Sequence, residues 1–310
     1  MSAPAVQSLP LAPIFLAGPT AVGKSEIALL LAEKIRGEII SVDSMQVYRG
    51  LDLGTAKPSA AERERVPHHL LDVCRLREAF DAAQFIRLAQ SAVAEIQSRG
   101  RTPVFCGGTG LYFKAFLEGL GDAPATDTNL RAELEAAPFA ALLCELRERD
   151  RAAYAQIDKQ NPRRVIRAVE VIRLTGKKFS AQRAEWKVEG KSRKTGSYFC
   201  FTRTAAELHQ RINQRVDEMF RRGLVAETEA LLQHGLAENK FALQAIGYRQ
   251  VVEHLRGKRD LSGTIELVKI RTRQFAKRQL TWFRRHGNCE WIELKAGETS
   301  QEALAKITNG

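Results

Sequence analysis

Short apolar runs alternate with longer amphipathic stretches along the first third of the chain. Residues 13–18, 38–43 and 103–106 are short and rich in apolar residues, which is typical of buried strands. Between them, apolar side chains recur at helical spacing after the first strand and again over 82–98. We expect the first of these helices to stop at Gly37. The alternation predicts an α/β core in which a central parallel sheet is flanked by helices.

The pattern changes after about residue 120. The chain becomes charged and helical, without an obvious strand, until a new apolar strand at 198–203. Amphipathic helices follow, and residues 291–294 form the last predicted strand. We therefore predict two domains. The core domain comprises residues 10–120 and 196–300, and an all-helical insertion domain comprises residues 121–195.

A complete phosphate-binding motif follows the first predicted strand and opens the first helix. The sequence GPTAVGKS matches G-x-x-x-x-G-K-[ST], in the strand–loop–helix context that a P-loop requires. Its glycines allow backbone N–H groups to surround phosphate oxygens, Lys24 adds a positive charge, and Ser25 offers a hydroxyl to Mg²⁺. The motif predicts a P-loop NTPase-like core but does not define which phosphate compound binds. The predicted phosphate-binding residues are Gly18, Pro19, Thr20, Ala21, Val22, Gly23, Lys24 and Ser25.

Two polar side chains follow buried strands and should lie near this motif. Asp43 ends the second strand, and Thr109 lies in the turn 107–110 after another. Because ligands collect at the carboxyl ends of parallel strands, both should face the P-loop crevice. Asp43 is then either a magnesium ligand or a general base. Thr109 is either a donor to a phosphate oxygen or part of a plain flexible loop.

The basic charge of the chain is concentrated in two stretches. The net charge is +12 overall, whereas residues 160–195 carry +8 and residues 269–286 carry +7. Such patches are typical of a surface that binds a polyanion, although two solvated faces would have the same composition. In the first stretch, Asn161 should cap a helix at whose positive end Arg163, Arg164 and Arg167 are crowded. Their partner is either a bound anion or the acidic helix in the 130s.

The second basic stretch interleaves cations with aromatic residues. Lys269, Arg273 and Lys277 recur every fourth residue and should mark one helix face. In KRQLTWFR, at 277–284, aromatic rings could stack on RNA bases while the cations contact phosphates, which is typical of an RNA-binding surface. The apolar members of this segment could equally belong to the core.

Other features argue against several classes of protein. No apolar run approaches the ~18 residues of a membrane span, and residues 1–10 lack the basic start of a signal peptide. We therefore expect a cytoplasmic protein. Five widely spaced cysteines without a C-x-x-C pair argue against a disulfide framework or a structural zinc site.

Seven segments, taken together and in order, match one protein family. They are GPTAVGKS at 18–25, DSMQVYRGLDLGTAKP at 43–58, HHLLD at 68–72, GGTGLY at 107–112, NPRRVIRA at 161–168, AIGYRQ at 245–250 and KRQLTWFR at 277–284. The chain thereby resembles the tRNA dimethylallyltransferase family, the bacterial tRNA isopentenyltransferases (IPP transferases). The resemblance implies transfer of a dimethylallyl group from dimethylallyl diphosphate to N6 of adenosine 37 of tRNA, with Mg²⁺.

The resemblance also implies roles for individual residues. Asp43 would take the proton from the adenine N6. The implied diphosphate ligands are Thr20, Lys24, Ser25, Thr109 and Arg215. The implied contacts with the anticodon stem-loop of tRNA are Asp43, Ser44, Met45, Gln46, Thr109, Arg131, Gln160, Asn161, Pro162, Arg163, Arg164, Gln244, Ala245, Ile246, Gly247, Tyr248, Arg249, Lys277, Arg278, Gln279, Leu280, Thr281, Trp282, Phe283 and Arg284. No membrane partner is implied, and we expect a monomer.

Two other functions use some of the same features. A nucleotide-dependent kinase for a small molecule would explain Lys24 and Ser25 but not the two basic stretches. A non-catalytic or ATP-driven RNA-binding protein would explain the basic stretches but not Asp43 together with Thr109. Each rival therefore leaves one group of residues without a purpose.

Overall fold

The computed structural model describes residues 11–120, 124–181 and 197–308. The chain divides into two compact units, a larger one of Met1–Ala115 with Lys194–Gly310 and a smaller one of Phe116–Arg193. The smaller unit begins and ends slightly earlier than the insertion predicted at 121–195. Part of that prediction, including residues 182–195 of the first basic stretch, lies outside the described residues.

A six-stranded parallel sheet forms the centre of the larger unit. Its strands are β1 (Ile14–Ala17), β2 (Gly37–Val42), β3 (His68–His69), β4 (Thr102–Gly107), β5 (Tyr198–Thr202) and β6 (Glu290–Glu293). They lie in the order β3-β2-β4-β1-β5-β6, and every neighbouring pair is parallel. The predicted parallel sheet is confirmed. Strand β3 was not predicted, because two residues carry no periodic pattern.

Helices cover both faces of this sheet and extend beyond it. Those at least partly in the larger unit are α1 (Lys24–Ile35), α2 (Ala60–Arg65), α3 (Ala82–Ser98), α4 (Gly110–Glu118), α9 (Ala205–Arg221), α10 (Leu224–Gln233), α11 (Tyr248–Leu255), α12 (Leu261–His286) and α13 (Ser300–Thr308). Buried side chains of α1, α9 and α12, among them Ile27, Ile212 and Val268, pack with Leu16 and Val104 of the sheet. Because α1 begins after the loop that follows β1, its start lies at the carboxyl end of that strand.

The first helix stops one residue before the predicted position. Arg36 adopts a left-handed conformation, with φ of 53°, and its N–H donates to the Ala32 carbonyl, which ends α1. Gly37 is instead the first residue of β2. A Cβ at Gly37 would lie 2.8 Å from the Thr102 carbonyl oxygen, so the close approach of β4 explains the glycine.

In its described residues the smaller unit contains helices and connecting loops but no strand. Its own helices are α5 (Thr128–Ala136), α6 (Phe139–Arg149), α7 (Arg151–Gln156) and α8 (Pro162–Thr175). They pack around a buried cluster that includes Leu134, Leu146 and Val169. The Asn161 side chain accepts the Arg164 N–H, with Pro162 in the first turn, so the predicted cap of α8 is confirmed.

A buried carboxylate stabilises the larger unit at the amino end of β2. The Glu38 side chain is 2% exposed and accepts hydrogen bonds from Arg99 at 2.8 and 3.1 Å, and its Oε2 lies 2.6 Å from His69 Nε2. Burial alone would raise the pKa of Glu38, but the bonds from Arg99 and His69 outweigh it and hold that pKa below its ordinary value. The carboxylate therefore stabilises the fold at neutral pH.

Glu38→Gln should lower the free energy of unfolding at pH 7 by about 1.5–3 kcal/mol, the usual value for a hydrogen bond to a charged group. Because the folded pKa is depressed, this stabilisation is present above the unfolded pKa and is lost as the pH falls through the folded value. The difference between variant and wild type in urea unfolding should therefore shrink on acidification. Glu33→Gln, which removes an exposed pair with Arg65, should change stability little at any pH.

Candidate functional site: a phosphate-binding cradle beside a carboxylate

The P-loop joins β1 to α1 and exposes the start of that helix. Gly18 has φ of 149°, and a Cβ there would lie 2.8 Å from the Phe201 carbonyl oxygen of β5, so only glycine fits. Gly23 has φ of 108° and leads directly into α1. Ser25 is exposed in the first turn of that helix. The loop therefore presents free N–H groups and the positive end of the helix dipole to the crevice.

Lys24 lies within this loop. Its Nζ donates to the Pro19 carbonyl oxygen at 3.1 Å, and no carboxylate among the described residues forms an ion pair with it. Removal from water lowers the pKa of Lys24, and the nearby Arg215 acts in the same direction, whereas Asp43 opposes the shift. A lysine held in this way is available to an anionic ligand.

Asp43 follows the end of β2 and is fixed by its own turn. Its Oδ1 accepts the N–H groups of Met45 and Gln46 at 2.8 and 3.3 Å, and its Oδ2 has no hydrogen bond from the described residues. The Thr109 hydroxyl accepts the Ser44 N–H at 3.1 Å, which joins the 107–110 turn to this segment. Asp43 therefore presents one free carboxylate oxygen in a fixed position.

Arg215 completes the arrangement from α9. Its guanidinium has no hydrogen bond or ion pair with any residue that the structure describes. Burial lowers the pKa of Arg215, while the proximity of Asp43 opposes that change. The structure thus brings together Lys24, Asp43 and Arg215, three predicted residues that lie far apart in sequence.

Two further arginines hold the P-loop, and the sequence did not identify them as site residues. The Nε atoms of Arg203 and Arg211 donate to the carbonyl oxygens of Val22 and Ala21, both at 2.8 Å. Nη2 of each lies within 3.7 Å of where a Cβ on Gly23 would be. The spacing of Arg211 and Arg215, four residues apart on one helix, is the signal that could have revealed the first of them.

The predicted tRNA segments are partly exposed and partly internal. Exposed side chains include Gln160, Arg163, Arg164, Arg249, Lys277, Arg278, Thr281 and Arg284. Other members are buried in protein contacts. Tyr248 is fully buried, and its hydroxyl contacts Glu227 and the Gly54 N–H. Ala245, Gln279 and Phe283 are also less than a tenth exposed. Contact with tRNA therefore stays a prediction for the exposed members of each segment.

The predicted cationic face of α12 needs correction. Lys269 forms ion pairs with Asp217 and Glu266, and Arg273 donates to the Asn213 side chain at 2.7 Å. These two cations connect α12 to its neighbours, because the face that they share packs against α9. Of the three residues in this repeat, Lys277 alone is exposed.

The acidic partner in the 130s that the sequence left open is present for one of the three arginines near the start of α8: burial lowers the pKa of Arg163, and the charge of Glu135 opposes that shift. Arg167 pairs with buried Glu170 on its own helix rather than with an acid in the 130s. Arg131 reaches the same carboxylate at 3.4 Å and also pairs with Glu135. It is Arg173 that binds Glu133. Arg131, although a predicted tRNA contact, therefore has partners inside the unit.

The fold and the site define an α/β protein that has a P-loop beside a carboxylate. Residues 46–286 match the IPP transferase family. The chain is 46% identical over 283 residues to a tRNA dimethylallyltransferase of Trichlorobacter lovleyi, covering 90% of this chain and 92% of that one. It is 47% identical to the tRNA dimethylallyltransferase of Halorhodospira halophila, covering 94% and 96%. The chain belongs to the IPP transferase family.

Solved structures agree with this assignment. The full-length tRNA isopentenylpyrophosphate transferase of Bacillus halodurans superposes with a TM-score of 0.71 at 40% identity, covering 96% of this chain and 94% of that one. A eukaryotic dimethylallyltransferase acting on tRNA superposes with a TM-score of 0.80 at 28% identity, covering 96% and 80%. Among the described residues, no helix combines the length and apolarity needed to cross a membrane.

Proposed function

We propose that the protein transfers the dimethylallyl group of dimethylallyl diphosphate to N6 of adenosine 37 in tRNA. The observation that carries this proposal is the Oδ2 of Asp43, which the described residues leave without a hydrogen bond, beside Lys24 and Arg215, neither of which forms an ion pair with a described carboxylate. Such a site can hold a diphosphate and accept a proton at the same time. Relatives named as tRNA dimethylallyltransferases support the choice of substrates.

The reaction needs one bond to break and one to form. The bond between C1 of the dimethylallyl group and the diphosphate oxygen breaks, and the electron pair leaves with the diphosphate. A bond forms between adenine N6 and C1, and the N6 proton passes to Asp43. The N–H groups of the P-loop, Lys24 and Arg215 stabilise the charge that develops on the diphosphate. Asp43 makes the weakly nucleophilic amine reactive as its charge develops.

A magnesium ion fits the donors at the start of α1. Ser25 offers an exposed hydroxyl there, and an oxygen donor of this kind suits Mg²⁺. The described residues contain no cluster of three or more His, Cys, Asp or Glu side chains that could hold a metal alone. Ser25 would hold the ion together with diphosphate oxygens and water. When bound, it would neutralise charge on the leaving diphosphate.

The acceptor must reach the site as a single unstacked base. An anticodon loop permits this at low cost, because loop nucleotides are flipped out more easily than paired ones. We assign binding of the tRNA phosphate backbone to exposed cations, namely Arg163 and Arg164 of α8 and Lys277, Arg278 and Arg284 of α12. The enzyme would then act as a monomer in the cytoplasm, where its tRNA substrate is found.

Replacing Arg163 and Arg164 together by glutamine should weaken the binding of all tRNAs by a similar factor. Each phosphate contact contributes roughly 0.7–0.9 to the slope of log affinity against log salt, so the slope should flatten by about 1–2. Affinity for dimethylallyl diphosphate should not change, since both arginines lie outside the P-loop unit. Filter binding over a salt series measures this slope.

The double variant Arg87→Gln with Arg221→Gln is the control, because it removes two exposed charges elsewhere and should leave the slope unaltered. An unchanged slope in the Arg163 and Arg164 variant would make that surface a solvated face.

A direct assay separates this function from the two rivals. Protein is incubated with labelled dimethylallyl diphosphate and bulk tRNA, and in parallel with ATP and either tRNA or small hydroxyl acceptors. We expect label in tRNA with release of diphosphate. Turnover of ATP with a small acceptor, without label in tRNA, would favour a kinase. Binding of tRNA without either reaction would leave an RNA-binding protein.

A further inference from the structure

Gln279 connects the two loops that form the candidate site. It lies on α12 within the segment 277–284, and it is 7% exposed. Its Oε1 accepts the N–H of Thr20 in the P-loop at 2.9 Å, and its Nε2 donates to the Gly108 carbonyl oxygen at 2.9 Å. Each end of the amide thus binds a different loop.

These contacts define the orientation of the amide. A flipped side chain would place its NH₂ against the Thr20 N–H and its oxygen against the Gly108 carbonyl, so both contacts would become repulsive. The packing is equally restrictive, because a Cβ on Gly108 would lie 2.2 Å from Nε2 of Gln279. The turn has glycine at this position so that the amide can approach.

A chain of contacts runs from Gln279 to the two reacting ends of the site. On one side, the bond to Thr20 engages that N–H and holds the P-loop, which leads into α1 at Lys24. On the other side, Gly108 precedes Thr109, whose hydroxyl accepts the N–H of Ser44, the residue after Asp43. Gln279 therefore sets the distance between the cradle for the diphosphate and the carboxylate.

We propose that Gln279 is a positioning residue that holds the P-loop and the 107–110 turn in register for transfer, and that it is not a tRNA contact. The proposal rests on the proposed function, since it concerns the same site. Both polar ends of the side chain are bonded within the protein, and the side chain is only 7% exposed, so it offers RNA almost no surface. Trp282 supports the same turn, because a Cβ on Gly110 would lie 2.1 Å from its ring.

Gln279→Glu tests the proposal through its pH dependence. A carboxylate can still accept the Thr20 N–H but repels the Gly108 carbonyl, whereas a protonated carboxyl can donate to that carbonyl. At pH 8, kcat should fall by about 10- to 100-fold, because small misplacement of reacting groups is costly. The ratio of variant to wild-type kcat should rise as the pH falls, since burial raises the pKa of such a carboxyl. A flat ratio would overturn the proposal.

Affinity measurements separate positioning from RNA binding. Gln279→Glu and Gln279→Leu should bind tRNA within about twofold of wild type, and Gln279→Leu should weaken binding of inorganic diphosphate by about tenfold. Weaker tRNA binding with diphosphate affinity intact would instead make Gln279 an RNA contact. Gln274→Glu and Gln274→Leu are matched controls on the same helix, because Gln274 is exposed. They should behave as wild type, and equal behaviour of the Gln279 and Gln274 variants would overturn the proposal.

The same variants, compared with the wild type, show whether this inference or the proposed function has failed. If the wild type transfers no dimethylallyl group, the proposed function fails, while diphosphate binding by Gln279→Leu still reports on the connection between the loops. If the wild type is active and the Gln279→Glu ratio is flat, the inference alone fails. Should Gln279→Leu not fold, the pH series on Gln279→Glu decides the matter.

Discussion

Replacing Asp43 by asparagine should slow dimethylallyl transfer by about 10²–10⁴-fold, the usual contribution of a general base. Asparagine keeps the size of the side chain, and its oxygen can still accept the N–H groups of Met45 and Gln46, so the turn should persist. It has no negative charge with which to take the N6 proton. Single-turnover transfer to tRNA measures the effect on the chemical step.

Two controls make the Asp43 result specific. Affinity for tRNA should stay within about threefold of wild type, because one neutralised carboxylate removes no phosphate contact. Asp217→Asn, at an exposed aspartate on α9, should transfer at nearly the wild-type rate. If Asp43→Asn keeps more than about a third of the wild-type rate, it lacks the effect of a general base, and Asp43 is not the base.

Lys24→Met should produce the second large effect, a loss of about 10²–10³-fold in kcat/KM for dimethylallyl diphosphate. Methionine fills similar space without the charge that stabilises the departing diphosphate. Burial lowers the pKa of Lys24, so the charged ammonium is less stable there than in water. A bound anion would stabilise the charged form again. Steady-state kinetics at saturating tRNA measure the loss.

The matched control lies on the same helix. Lys34, at the other end of α1, donates to the Thr308 hydroxyl and is exposed, so Lys34→Met should leave kcat/KM nearly unchanged. Binding of tRNA should be the same in both variants. A Lys24→Met enzyme that keeps its donor kinetics but loses tRNA would place the lysine at the RNA surface instead.

The local pattern of the sequence was enough to predict most of the sheet and the position of the P-loop between β1 and α1. Apolar runs identify β1, β2 and β4, and a P-loop needs only a strand before it and a helix after it. The stop of α1 was wrong by one residue, because Arg36 adopts the left-handed conformation that the prediction reserved for Gly37. That detail depends on the approach of β4, which no local pattern records.

The site was predicted less completely, because several of its contacts join residues that are far apart in sequence. Arg203 and Arg211 hold the P-loop from nearly 200 residues away in sequence. Lys269 and Arg273 looked like a nucleic-acid face, yet their partners lie on α9 and in the preceding turn of their own helix. Composition gives the charge of a segment but not which of its side chains already have partners.

The family resemblance had the same limit at segment 277–284. A shared motif indicates that its residues matter, but it does not separate side chains that face RNA from those that support the cradle. Burial makes that separation here, since Gln279 and Phe283 are internal while Lys277 and Arg278 are exposed. The exposed and buried members should therefore give different phenotypes when they are replaced.

The central claim is tested most directly by mass spectrometry of tRNA treated with the enzyme and dimethylallyl diphosphate. Unmodified tRNA is digested to oligonucleotides before and after incubation, with Asp43→Asn as the matched inactive control. We predict a mass increase of one C5H8 unit confined to the fragment that carries adenosine 37, present with the wild type and strongly reduced with the variant. A mass increase on another nucleotide, or an equal increase with wild type and Asp43→Asn, would contradict this prediction.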